Sequence, residues 1–130
     1  MKEASIELLA ARADVWAFLA EPYHLPDWWP GITGVEPDRR GLSPGARWKV
    51  ISSKHNILAG RRPFETMLLV REVELFERFT FHVLKPKLDA EVRLRTTAPD
   101  RTQVTVSSSR GRAERAVKRL YDLVQTAASM

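Results

Sequence analysis

The sequence contains no cysteine, which excludes disulfides, thiolate nucleophiles and cysteine-ligated metal sites and leaves the redox compartment undetermined. Glycine is scarce at six residues and forms no phosphate-cradling loop, so no nucleotide cofactor is expected. The three histidines, His24, His55 and His82, lack the i, i+4 spacing of a helical metal pair, and no metal site is expected from them. There is no Gly-x-Ser-x-Gly elbow, and no serine has a recognisable base partner, which argues against a Ser-His-Asp nucleophile. Long apolar runs are missing too. The longest uncharged apolar stretches, 66–70 and 15–20, fall far short of the roughly 20 residues that span a bilayer. The opening run Met1-Lys2-Glu3-Ala4-Ser5-Ile6-Glu7 carries acids where an export signal needs a basic stretch followed by apolar residues. The expectation is a soluble, cytoplasmic protein with no cofactor and no membrane span.

The 130 residues fit one domain, residues 1–130, with one sizeable core. The formal charge is +5 and the pI is near 10.0, but the charge is uneven. Residues 37–71 hold eight Lys/Arg against two acids and residues 101–130 hold six against two, whereas residues 1–36 are net acidic. Most of these arginines alternate with apolar residues along predicted strands, as solvated outer-face side chains do. A nucleic-acid partner is therefore not the expected one, and nothing in the pattern sets an oligomeric state.

Periodicity supplies the elements. Residues 5–10 read as a strand with Ile6 and Leu8 on one face, followed by a helix over 13–20 with Val15, Phe18 and Leu19 at helical spacing and Asp14 in its first turn. Glu21-Pro22 ends it. A second short helix over 23–29 contains Pro26 and stops at Pro30-Gly31, and residues 32–36 form a short strand. After a Pro/Gly/Ser-rich loop at 37–45, residues 46–53 alternate Trp48, Val50 and Ser52 against Arg47, Lys49 and Ile51. Residues 54–63 read as a polar connection. The strand over 64–75 is expected to face inward through Phe64, Thr66, Leu68 and Val70, although its parity is ambiguous; Glu72 falls on the same face as either a buried acid or, the favoured reading, a strand-end acid that reaches water. The next strands place inward Phe79, Phe81 and Val83 against Arg78, Thr80 and His82, then Leu88, Ala90, Val92 and Leu94, then Val104 and Val106. From Gly111 the period becomes about 3.6, and Ala113, Ala116, Val117, Leu120, Leu123, Val124 and Ala127 form one stripe opposite Arg115, Lys118, Arg119 and Asp122. A helix over 112–128 would be roughly 25 Å long at about 1.5 Å per residue, enough to cross a sheet.

Strands with one apolar face need a cover, and only the last helix is long enough. The helix stripe is rich in small residues while the sheet supplies Trp48, Phe79 and Phe81, so the periodicity allows both a cavity and an ordinary filled core.

Several pieces in their order resemble the START/Bet v 1-like (SRPBCC) superfamily, including its polyketide cyclase/dehydrase-like members, over essentially the whole chain. They are Ala13-Asp14-Val15-Trp16-Ala17-Phe18-Leu19, Leu25-Pro26-Asp27-Trp28-Trp29-Pro30-Gly31-Ile32, Pro44-Gly45-Ala46-Arg47-Trp48, Val70-Arg71-Glu72-Val73 and Glu77-Arg78-Phe79-Thr80-Phe81. The resemblance implies an α+β helix-grip fold: a seven-stranded antiparallel sheet wrapped around a long C-terminal helix, with two short helices after strand 1. It also implies a hydrophobic small molecule held between sheet and helix. The expected lining is Trp48, Val50, Leu68, Val70, Phe79, Phe81 and Val92 from the strands and Leu120, Tyr121 and Val124 from the helix, with Trp29 at the mouth. Trp28 and Trp29 can stack on a ligand or plug the end of the core, and Asp27 is the nearest carboxylate. Tyr121, at the edge of the helix stripe, is the first candidate for a polar cavity group. No catalytic residue is assigned. Three functions stay open: non-covalent binding of a hydrophobic or aromatic small molecule; a cyclase/dehydrase-like enzyme drawing its acid and base from Thr66, Glu72 and Tyr121; and a protein- or nucleic-acid-binding module using the basic surface.

Overall fold

A computed structural model describes the backbone of residues 2–56 and 60–128, and the side chains of these except at 54–56, 60–62 and 125–128. The order is β1 (Lys2–Leu8), α1 (Arg12–Ala20), a 3₁₀ turn (Pro22–His24), α2 (Leu25–Trp28), β2 (Ile32–Glu36), β3 (Arg47–Asn56), β4 (Gly60–Glu74), β5 (Arg78–Val83), β6 (Leu88–Ala98), β7 (Arg101–Ser108) and α3 (Ala113–Ala128). The seven strands make one antiparallel sheet in the order β1-β7-β6-β5-β4-β3-β2. β7 thus lies between its hairpin partner β6 and the N-terminal strand β1, and α3 lies back across β7 and β1 and reaches α2. This is the helix-grip arrangement expected from the sequence.

The alternation along each strand explains its inner face. Trp48 and Val50 on β3, Phe79, Phe81 and Val83 on β5, Leu88, Ala90, Val92 and Leu94 on β6, and Val104 and Val106 on β7 are all buried. Two strand predictions change. Residues 54–56 and 60–63, read as a connection, extend β3 and β4, whose register continues from Arg47↔Leu69 to Asn56↔Gly60. On β4 a bulge between Val70 and Val73 sets Val70 opposite Phe81 and Val73 opposite Phe79. The extra residue shifts the parity, so that Val73 packs against the core and Glu72 turns outward. Glu72 is exposed and bonded to Arg78, and its own N–H donates to Thr80 Oγ1 at 3.1 Å. It is a solvated ion-pair partner and not a buried acid.

The outer face of the sheet carries matched charges. Arg78 contacts Glu72, Glu74 and Glu91; Arg93 pairs with Glu91, Arg101 with Glu7, and Lys49 with Glu36. His82 also lies on this face, yet it is buried, with Nδ1 2.8 Å from Asp89 Oδ1. In the β2–β3 loop Asp38 accepts from the N–H of Arg47 at 2.8 Å and of Arg40 at 3.0 Å. The Arg47 amide in particular holds the Asp38 carboxyl below the usual aspartate range.

Candidate functional site

The residues expected to line an interior cavity do come together, but they fill it. Trp29 is 1% exposed, Trp48 and Phe81 3%, and Val50, Val92 and Leu120 0%. A run of edge-to-face and stacked rings crosses the interior: Trp28 to Trp29 at 5.7 Å, Trp29 to Phe81 at 5.2 Å, Phe81 to Phe79 at 6.3 Å and Phe79 to Trp16 at 5.9 Å. The space left among Leu19, Leu25, Trp28, Leu42, Trp48, Leu68, Val70, Phe79 and Phe81 is about 10 Å³, no more than one water molecule needs. Each indole removes about 200 Å² from water, worth about 5 kcal/mol at about 25 cal/mol per Å². Trp28 and Trp29 therefore plug the grip, and Trp29 is buried in the core and does not stand at an open mouth.

Tyr121 is also corrected. It is 38% exposed, because it stands one position past Leu120, about 100° around the helix from the centre of the buried stripe. Val124 is half-buried against the core; Ala127, assigned to the same stripe, lies outside the described side chains. Thr66 Oγ1 accepts from the N–H of Lys85 at 3.0 Å. Thr66, Glu72 and Tyr121 accordingly stand apart and provide no converging acid and base. Two histidines have structural partners: His82 meets Asp89, and His24 stacks on Phe18 at 4.3 Å with its Nδ1 2.8 Å from the Phe18 carbonyl. His55 lies outside the described side chains.

Open space lies elsewhere. A cleft of about 1160 Å³ runs between the side of α3 and the end of the sheet where the α2–β2 corner closes the grip. Its walls come from Pro26 and Asp27 of α2, Pro30 and Gly31 of the corner, Ile32 and Thr33 of β2, Ser52 and Ser53 of β3, and Phe64 and Glu65 of β4. Lys85 and Pro86 from the β5–β6 turn, Arg110 and Arg112 from the β7–α3 junction, and Arg115 and Arg119 from α3 complete it. Asp27, the carboxylate nearest the tryptophan pair in the sequence, is among these lining residues. None of the eleven residues assigned to a ligand from the sequence does.

The corner is held rigidly. The Gly31 carbonyl accepts from the Ser53 N–H at 2.9 Å and from Ser52 Oγ at 3.2 Å, and the Pro30 carbonyl accepts from Arg112 Nη1 at 3.0 Å. Gly31 has φ +88°, and a Cβ there would sit 2.6 Å from Arg112 Nη1. Only glycine leaves room for the guanidinium while adopting this left-handed backbone. Arg112 itself has φ +75°, a conformation that costs a residue with a Cβ about 1–2 kcal/mol. This cluster was legible only as separate residues, because the pairing joins positions about eighty apart in the chain.

One buried side-chain polar atom among the described residues lacks a partner, Trp28 Nε1. By contrast Trp48, also buried, donates Nε1–H to the Gly41 carbonyl at 3.0 Å.

No protein-family model matches the chain, and no curated protein matches it by sequence. Solved structures do match over nearly its full length. A START superfamily protein from Mycobacterium smegmatis superposes with a TM-score of 0.70 at 14% identity, covering 97% of each chain. A point mutant of Thalictrum flavum norcoclaurine synthase, in complex with a transition-state analogue, gives 0.69 at 16% identity, covering 98% of this chain and 94% of that one. The di-domain ARO/CYC protein StfQ of the steffimycin biosynthetic pathway gives 0.67 at 16% identity, covering 98% of this chain and 44% of StfQ. Among the described residues, no helix is long and apolar enough to cross a membrane.

Proposed function

We propose that this chain, which has the helix-grip fold of the START and Bet v 1-like proteins, binds a small molecule with a hydrophobic or aromatic body in the cleft beside α3. The observation that carries this reading is the contrast in free volume: about 1160 Å³ in the cleft against about 10 Å³ in the interior space between Trp28, Trp48, Phe79 and Phe81. Small-molecule sites commonly offer about 300–1,000 Å³, with a mainly apolar lining and a few fixed polar groups. Here Pro26, Pro30, Ile32, Phe64 and Pro86 supply apolar surface, and Ser52, Ser53 and Thr33 supply hydroxyls. The rigid corner around Gly31 and Arg112 keeps one wall preformed, so little ordering would be needed on binding. Binding is favoured over catalysis because Thr66, Glu72 and Tyr121 do not converge.

The test is a fluorescence titration with N-phenyl-1-naphthylamine, a neutral aromatic probe that brightens on leaving water. Saturable binding is expected, weakened about tenfold or more in Phe64→Ser, since burying a phenyl ring contributes about 1.5–3 kcal/mol. A folded wild-type protein that gives no saturable signal, or a Phe64→Ser variant of unchanged affinity, would refute the reading.

A further inference from the structure

We infer that the cleft selects a ligand carrying an anionic group, a carboxylate, sulfonate or phosphate, on its apolar body, and that Arg112, Arg115 and Arg119 receive that group. The inference rests on the proposed small-molecule reading and adds the ligand's charge and its recognition residues. Five cations line the cleft, Lys85, Arg110, Arg112, Arg115 and Arg119, against two acids, Asp27 and Glu65. None of the five takes part in an ion pair among the described residues, in contrast to Arg78, Arg93 and Arg101 on the outer sheet face. The cleft therefore has an excess of three positive charges, set between low-dielectric protein walls that strengthen their field.

The geometry is arranged for recognition. Arg115 and Arg119, four residues apart on α3, lie along one flank of the helix, that flank borders the cleft, and Arg112 joins them there from the β7–α3 junction just before the helix. Tyr121 projects about 100° from Leu120 and away from it. Two of the cations are anchored through backbone carbonyls: Arg110 Nε donates to Lys87 O at 2.6 Å and Arg112 Nη1 donates to Pro30 O at 3.0 Å. A guanidinium has five N–H donors, and among the described residues Arg112 Nε and Nη2 make no hydrogen bond. Arg112 is thus fixed in place with donors to spare, and its left-handed φ of +75° is strain retained at this point of the fold. Planar guanidinium groups match the paired oxygens of carboxylates, sulfonates and phosphates.

The experiment compares two probes with the same aromatic body, 1-anilinonaphthalene-8-sulfonate and neutral N-phenyl-1-naphthylamine, titrated into the intact protein at low and high salt. The sulfonate is expected to bind about tenfold or more tightly than the neutral probe, as a charge-assisted hydrogen bond contributes in this range. Raising the salt should remove most of that preference. Arg112→Gln should reduce it. Because Arg112 also ties down the corner, Arg115→Gln and Arg119→Gln, both at exposed helix positions, test the same point without touching that contact, and each should lower the affinity for the sulfonate several-fold more than that for the neutral probe. Arg95→Gln, on the outer face of the sheet, should change neither. Equal affinity for the two probes, or a sulfonate preference that survives all three cleft variants, would overturn the inference while leaving the small-molecule reading intact. Absence of binding by both probes would overturn the two together. Association with phosphatidylglycerol vesicles but not with the soluble sulfonate would overturn it as well, because the basic flank would then be a membrane contact.

Discussion

Replacing Gly31 by alanine tests the corner on which the cleft is built. The new Cβ would force a left-handed backbone on a residue that resists it, at about 1–2 kcal/mol. It would also lie 2.6 Å from Arg112 Nη1, so the guanidinium must shift and is expected to give up its bond to the Pro30 carbonyl. A hydrogen bond to a charged group contributes about 1.5–3 kcal/mol, and Arg112 is half-buried, which favours the lower end of that range. The sum is about 3 kcal/mol, or about 1.5 M in urea midpoint for an m-value of about 2 kcal/mol per M. Arg112→Ala alone should lose about 1.5 kcal/mol for the same hydrogen bond. The double variant removes that bond only once, so it should cost about 3 kcal/mol and not about 4.5, a coupling well outside the few tenths expected of independent sites. Urea melts of the four proteins at constant m would show it. A Gly31→Ala midpoint within about 0.3 M of wild type, or strictly additive costs, would refute the contact between corner and helix junction.

The face of α3 is tested by Leu120→Ala against Tyr121→Ala: the first should lose about 2–5 kcal/mol and the second stay within about 0.5 kcal/mol of wild type, and a reversed order in urea melts would mean the helix is rotated. Trp28→Phe should cost about 1 kcal/mol less than Trp48→Phe, since only Trp48 loses an indole hydrogen bond with the change; equal or greater loss at Trp28 in the same assay would show that its N–H has a partner. The Asp38 carboxyl, lowered chiefly by the Arg47 amide, binds its proton less readily in the folded than in the unfolded protein. Its contribution is therefore present above the unfolded value of about 3.9 and lost as the pH falls through the lower folded value. NMR titration should place its midpoint below that of a free aspartate, and Asp38→Asn should flatten the loss of stability on the acid side. An unshifted midpoint would count against the loop geometry.

How much of this was legible in the sequence depends on how local each cause is. β3, β5, β6 and β7 were readable because one face of each is wet, so Trp48, Val50, Phe79, Phe81, Val92 and Val104 announce themselves by alternation. The bulge at Val70–Val73 has no glycine or proline to mark it, and a parity rule carried through it assigns Glu72 to the wrong side. Tyr121 was misassigned by a single step around the helix. The largest gap concerns the cleft. Arg115 and Arg119 read as solvated helix residues, and Arg112 only as the first residue of the helix, because their meaning depends on Pro30, Gly31 and the end of β4, which only the tertiary fold brings near. The filled interior was likewise undecided by pattern: alternation shows that Trp48 and Phe81 point inward, but only the packed geometry shows that Trp28 and Trp29 occupy the space between them and α3.

The most direct test of the account is to locate a bound probe. Intermolecular NOEs from N-phenyl-1-naphthylamine to the isotope-labelled protein should fall on the Ile32 methyls, the Phe64 ring and the Ser52–Ser53 stretch that line the cleft. NOEs to Leu68, Val70 and Phe81 would place the ligand in the interior and contradict it.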